Sequence, residues 1–201
     1  MQIERTQLID DLIARVKQAT LSVTKLKALP ADLLNHRNNA EEWTILECIE
    51  HLNLYGDFYL PEIEKQILKK GTSLEADEFR SGVIGNYFAS LIQVKKGKVK
   101  KMKTPRNMNP IHSALSITTI DRFLKQQERL ISLLQQARKM DLTRTKTAIS
   151  MTSMIRLRLG DTLRFVVFHI ERHVGQARRN VEVGHEIHSR LRFQKEFTNV
   201  K

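Results

Sequence analysis

Two histidines four residues apart, His169 and His173, stand in the segment Phe168-His169-Ile170-Glu171-Arg172-His173-Val174-Gly175-Gln176. On an α-helix a step of four residues is about 400°, so both imidazoles leave nearly the same face, about one turn apart. Neutral imidazoles so placed can share a divalent cation, and such a cation normally takes at least three protein ligands. His51 is the candidate for the third. The plainer reading is that each histidine is a hydrogen-bonded residue at a helix boundary. Against it, His51 occupies the corresponding margin of another predicted helix.

The elements that must carry these residues are legible in the apolar spacing. Ile9, Leu12, Ile13, Val16, Ala19, Val23 and Leu26 predict an amphipathic helix from about Gln2 to Lys27, which Leu29-Pro30 ends. Thr44 with Glu47 three residues on forms a capping box. Behind it Ile45, Cys48, Ile49, Leu52, Tyr55, Tyr59, Ile63 and Ile67 mark the buried stripe of a second helix, with Pro61 as a kink or a break. His51 lies beside Leu52 at the edge of that stripe. Glu47, one turn earlier, is placed to orient its ring, and Tyr55 follows on the same face.

A third helix is expected from Thr118, as its cap, to near Met140, with Gln127 interrupting the apolar stripe. The segment from Thr143 to Leu159 reads as irregular or briefly extended. The fourth helix is expected to start at Gly160-Asp161, capped by Asp161, with Leu163, Val166, Val167, Ile170, Val174, Ala177 and Val181 as its core stripe. Phe165, His169, His173, Gln176 and Asn180 run along the edge of that stripe, while Arg164, Arg172 and Arg179 are assigned to its outer faces. A margin of histidine and carboxamide suggests a partly wet site between helices, where bundles place metals and cofactors.

Between the second and third helices lies a long crossover from Thr72 to Ile117, punctuated by glycine and proline, with one short helix expected at Val83 to Val94. Its length frees the third helix to run parallel to the second. It holds Lys95, Lys96, Lys98, Lys100, Lys101, Lys103 and Arg106, without which the net charge of +12 would be +5. The run lacks the interleaved aromatics of a single-strand platform, so nucleic acid is a minority expectation and a solvated loop the commoner reading.

At 201 residues the chain fits one domain. Cys48 is its only cysteine, which excludes an intrachain disulfide, and its coincidence with the core stripe reads as buried and inert. No apolar run approaches the roughly 18 residues of a spanning helix, and the first residues lack the apolar stretch of a signal peptide. A cytoplasmic protein is expected. His36, His112, His185 and His188 are read as surface residues.

Trp43-Thr44 with Cys48-Ile49-Glu50-His51-Leu52, followed by Phe168-His169, His173 and Gln176, resembles the DinB-like superfamily of four-helix metalloenzymes. Gly82-Val83-Ile84-Gly85-Asn86-Tyr87-Phe88, the basic stretch after Gly97, Pro105 and Pro110 are similar to the crossover of one of its branches. The resemblance spans roughly Ile3 to Val183, leaving 184–201 as a tail.

It implies an all-α fold, a four-helix bundle of up-down-down-up topology with the crossover between helices 2 and 3. It also implies a divalent transition metal, zinc, nickel or iron, held by His51, His169 and His173. Glu47, Gln176 and Tyr55 would support those ligands. Such an ion acts as a Lewis acid, lowering the pKa of a water toward about 7 or binding a thiolate.

The implied activity is that of a hydrolase or a thiol-dependent transferase using a low-molecular-weight thiol such as bacillithiol, mycothiol or glutathione. Lys98, Lys100, Lys101 and Lys103 would attract an anionic small-molecule substrate. No catalytic acid or base is identified beyond the proximity of Glu47 and Tyr55. Pairing into a homodimer through a helix face is expected. The alternatives are a non-catalytic bundle that binds metal or dimerises and, less favoured, a basic nucleic-acid binder.

Overall fold

The capping box at Thr44 is where sequence and structure meet most directly. In the computed structural model Glu47 N–H donates to Thr44 Oγ1 (3.1 Å) and Thr44 N–H donates to Glu47 Oε2 (2.8 Å), starting α3 (Ile45–Lys70). The structure describes residues 1–72, 77–94 and 102–198, with side chains to 183 except at 153. Helix α3 runs through Pro61 without ending and stops at Gly71, whose φ of 61° lies in the left-handed region that favours glycine.

The chain is mostly helical, with two small antiparallel two-stranded sheets among the described residues. Strand β1 (Gln2–Glu4) precedes α1 (Arg5–Thr24), which passes into a 3-10 turn at Lys25–Ala28 and the short α2 (Ala31–Leu34). After α3 come β2 (Glu78–Arg80), α4 (Val83–Ile92), a 3-10 turn at Arg106–Met108 and α5 (Thr118–Ala137). Strands β3 (Lys146–Ile149) and β4 (Thr152–Arg158) lead into α6 (Leu159–Thr198).

The apolar stripes become one core. Ile9, Leu12 and Val16 of α1, Ile45, Ile49 and Ile63 of α3, Ile120, Phe123 and Leu134 of α5, and Leu163 and Val167 of α6 are all fully or almost fully buried. Burial on this scale is worth about 1.5–3 kcal/mol per large side chain. Helix α3 packs on α5 and α6, and α1 packs on the same two.

Polar pairs show how the helices meet. Between α3 and α5, Glu50 pairs with Arg122 and Glu64 with Arg129, so residue numbers rise together. Between α1 and α5, Asp10 pairs with Arg138 and Lys27 with Asp121, so they run opposite.

Several boundaries differ from expectation. Gln2–Glu4 is not helix: it pairs with β2, Ile3 opposite Phe79, tying the chain start to the crossover. Thr118 is the first residue of α5 and not its cap. Ile117 precedes it, and the Thr118 hydroxyl instead meets Ser116 (2.8 Å). That helix ends at Ala137. The ambiguous stretch after Thr143 is a hairpin in which Thr147 stands opposite Leu157 and the β-branched Ile149 opposite Thr152.

Asp161 does not cap α6, because the helix begins two residues earlier. The carboxylate, fully buried, accepts instead from Ser81 Oγ, Gly82 N–H (2.8 Å) and Arg164 Nη1 (3.2 Å). The crossover is thereby fastened to α6. A Cβ on Gly85 would lie 2.4 Å from that carboxylate, so only glycine lets α4 come this close. Arg164 and Arg172 are buried, not on outer faces. Helix α6 continues through most of the expected tail, to Thr198. No helix among the described residues is long and apolar enough to cross a membrane.

Candidate metal centre

His51, early in α3, is 2 % exposed; His169 and His173, well inside α6, are 6 % and 9 % exposed. The three rings stand edge to face, with centroids 4.9 Å apart for His51 and His169, 4.5 Å for His51 and His173, and 4.7 Å for His169 and His173. One nitrogen from each lies no farther than 4.8 Å from the others, and His51 Nε2 is 3.1 Å from His169 Nε2. They come level because α6 outruns the start of α3: Asn180 Nδ2 donates to the carbonyl of Trp43, just ahead of α3 (2.7 Å).

Partners on the far side of two rings settle their tautomers. Nδ1 of His51 is 2.6 Å from the carbonyl oxygen of Met108, an acceptor only, so Nδ1 carries the proton and Nε2 a lone pair. Nδ1 of His173 donates to Gln176 Oε1 (2.9 Å), with the same consequence. Trp43 and Tyr55 wall the cluster, with centroids 4.6 and 4.8 Å from His51, and Phe165 stacks on His169.

Burial keeps the rings neutral. It pushes His51 down to about 4 against the opposing pull of the Met108 carbonyl, and pushes His173 down to about 3 with His51 adding to the effect. His169 is held well below the ordinary range, by burial first and then by His173, His51 and Arg172. Neutral imidazole is the ligating form. Tetrahedral bonds of about 2.1 Å set neighbouring nitrogens about 3.4 Å apart, so the closest pair is already near that spacing and the widest must close by no more than about 1.4 Å. The donor set therefore fits a divalent transition metal.

The remaining expected residues divide. Gln176 does hold His173. Glu47, almost fully buried, does not touch His51: its carboxylate is occupied by Thr44 N–H, Arg37 Nη2 (2.7 Å) and His112 N–H (2.5 Å). The Met108 carbonyl takes the place expected of it. Tyr55 packs on His169 at 4.3 Å, and burial pushes its phenol up to about 12, so it keeps its proton at neutral pH. Burial likewise pushes the Cys48 thiol up, in keeping with an inert core cysteine.

Two of the larger cavities among the described residues reach the cluster. One of about 120 Å³ is lined by all three histidines with Tyr55, Phe88 and Arg172; the other, about 730 Å³, opens beside His173 and Trp43. Lys103 and Arg172 line both. Arg172, buried beside His173, has no periodic signal in the sequence that separates it from an outer-face arginine. Lys98, Lys100 and Lys101 lie outside the described residues, as do the side chains of His185 and His188. His112 is exposed and His36 half-buried, and neither joins the cluster.

The chain matches the family described as the DinB superfamily over residues 12–177. No curated protein and no solved structure matches it.

Proposed function

Because the chain belongs to the DinB superfamily, we propose that it is a divalent-metal-dependent enzyme, a hydrolase or a thiol-dependent transferase, acting on a small molecule. The observation that carries this reading is the convergence of three neutral imidazoles, two with their Nδ1 protons engaged elsewhere, on one point at the floor of a cavity. His51, His169 and His173 would hold the ion. Three protein ligands leave room for a further one, the arrangement expected of a catalytic site.

The ion would supply Lewis acidity toward a water or a thiol. The chain's own residues do the rest: Met108 and Gln176 keep ring nitrogens protonated on the outer side, while Trp43, Tyr55 and Phe165 exclude bulk water from the ligands. Zinc, nickel and iron suit the donors equally.

We read the four long helices as an up-down-down-up bundle in the cytoplasm. The rising pairs between α3 and α5, the opposed pairs between α1 and α5, and the meeting of Trp43 with Asn180 and His51 with His169 support that topology.

Elemental analysis of tag-free protein purified without chelator, beside His51→Ala and His169→Ala, tests the centre. About one equivalent of a transition metal in the wild type, lost in both variants, is expected; no metal and no uptake of added zinc or nickel would overturn it. The loaded protein is then assayed against thiol and ester panels, where turnover lost in both variants is expected. Lys103→Ala should raise KM for an anionic substrate several-fold at low salt and less at high salt. An unchanged KM removes that role.

A further inference from the structure

His51 has its outer nitrogen held by Met108 and His173 by Gln176, but among the described residues nothing in the protein stands on Nδ1 of His169. Across from that ring, on α5, lies Gln127. It is 4 % exposed, its Nε2 donates to the carbonyl of Phe123 (3.3 Å), and its Oε1 is buried with no partner. The neighbouring Gln126 donates from Nε2 to the carbonyl of Asn53 (3.1 Å) and to Asp57 (2.9 Å), and its Oε1 is also buried without a partner. A buried carbonyl left unpaired costs about 1–3 kcal/mol, so two in one place require an explanation.

His169, Gln126 and Gln127 line one small cavity of about 10 Å³ between α3, α5 and α6, closed by Leu52, Gly56 and Val166. That is about the room of a single water, and three polar residues line it, enough for the three or so hydrogen bonds that a buried water makes. One water there would accept a hydrogen bond from an imidazole N–H and donate two, one to each carboxamide oxygen. A direct bond from either glutamine would leave the other oxygen unpaired.

We propose that Gln127 is a positioning residue of the metal centre, holding Nδ1–H of His169 through one buried water so that Nε2 of that ring carries its lone pair toward the ion. The inference rests on the three-histidine reading. It brings α5, which contributes no ligand, into the centre, and gives each of the three imidazoles an outer acceptor from a different part of the chain: the crossover, α5 and α6. Such outer partners set the tautomer and orientation of a ligand.

The test compares zinc affinity, by competition with a chelator of known strength, in the wild type, Gln127→Leu and Gln127→Glu. Gln127→Leu, which fills the space without an acceptor, should weaken zinc binding about 10- to 100-fold, while Gln127→Glu, which keeps the oxygen, stays within about threefold. In the zinc-loaded protein the His169 Nδ1 proton should appear in ¹⁵N-resolved spectra, slow to exchange, in the wild type and Gln127→Glu, and be lost or displaced in Gln127→Leu.

A residue that only fills space would move neither reading. Wild-type affinity with an unchanged His169 signal in Gln127→Leu overturns the inference. If that variant does not fold, Gln127→Met, of similar length and without the oxygen, carries the same two expectations. A wild type that takes up neither zinc nor nickel overturns the centre itself, a failure distinct from one confined to Gln127.

Discussion

Helix α6 carries two buried polar clusters, and they are opposites. Near its start Asp161 and Arg164 form an ion pair whose groups find partners within the chain: Ser81, Gly82 and Asn86 of the crossover. Farther along, His169 and His173 meet His51 as groups of the same kind, and with the Nδ1 protons of His51 and His173 committed outward two of the inner nitrogens are bare acceptors within 4.8 Å of one another. The first cluster is complete and acts as a clamp. The second offers its nitrogens to a cation from outside, which is why one is read as structural and the other as a candidate centre.

The largest expected effect comes from breaking the complete cluster. Asp161→Ala leaves the buried Arg164 guanidinium without its counterion and should cost about 3–5 kcal/mol in urea unfolding. The protein that remains folded should still bind one metal per chain. A cost below about 1 kcal/mol would mean that Asn86 and Ser81 suffice and that the clamp reading is wrong.

The second cluster responds to ligand. At about 100 times its Kd, zinc should stabilise the wild type by about 2.7 kcal/mol, read as a rise in Tm that depends on zinc concentration. His169→Ala should abolish that rise. An equal rise in the variant would place the metal elsewhere.

Acid should separate the clusters next. Without metal, the folded-state pKa values of His51 and His173, about 4 and about 3, lie below the ordinary imidazole value, so unfolding takes up protons. Their contribution is therefore whole above about pH 6.5 and is lost as pH falls toward 4, by about 3 kcal/mol for His51. His51→Gln should flatten the stability-versus-pH curve in that window. An unaltered slope would show that the ring is not held neutral by burial. The smallest effect tests the start of α3, which sets the position of His51: Thr44→Ala should cost about 1 kcal/mol, with metal stoichiometry preserved.

Much of this was legible beforehand where the signal is local. The capping box needs only residues three apart, and the stripe from Ile45 to Ile67 and the pairing of His169 with His173 need only the helical period. His51 could be nominated because an imidazole beside an apolar stripe is visible in one dimension. The hairpin at Lys146–Arg158 is not legible in the sequence, since its threonines and methionines keep no single period. The same one-turn spacing sets Glu47 beside His51, but a one-turn neighbour can turn its carboxylate the other way, and Arg37 with the His112 N–H draws it there.

The sequence by itself determined the helical character, the apolar faces, the cap of α3 and the histidines able to face a common point, because each depends on residue type and a spacing of a few positions. Tertiary structure alone decided what stands behind those histidines. The Met108 carbonyl reaches His51 across 57 positions of chain, and a main-chain oxygen leaves no mark in residue identity. It also decided which arginines of α6 are buried, because that depends on what the crossover lays over the helix. Asp161 drew Ser81 and Gly82 onto its carboxylate, and no periodicity within α6 encodes the arrival of another segment.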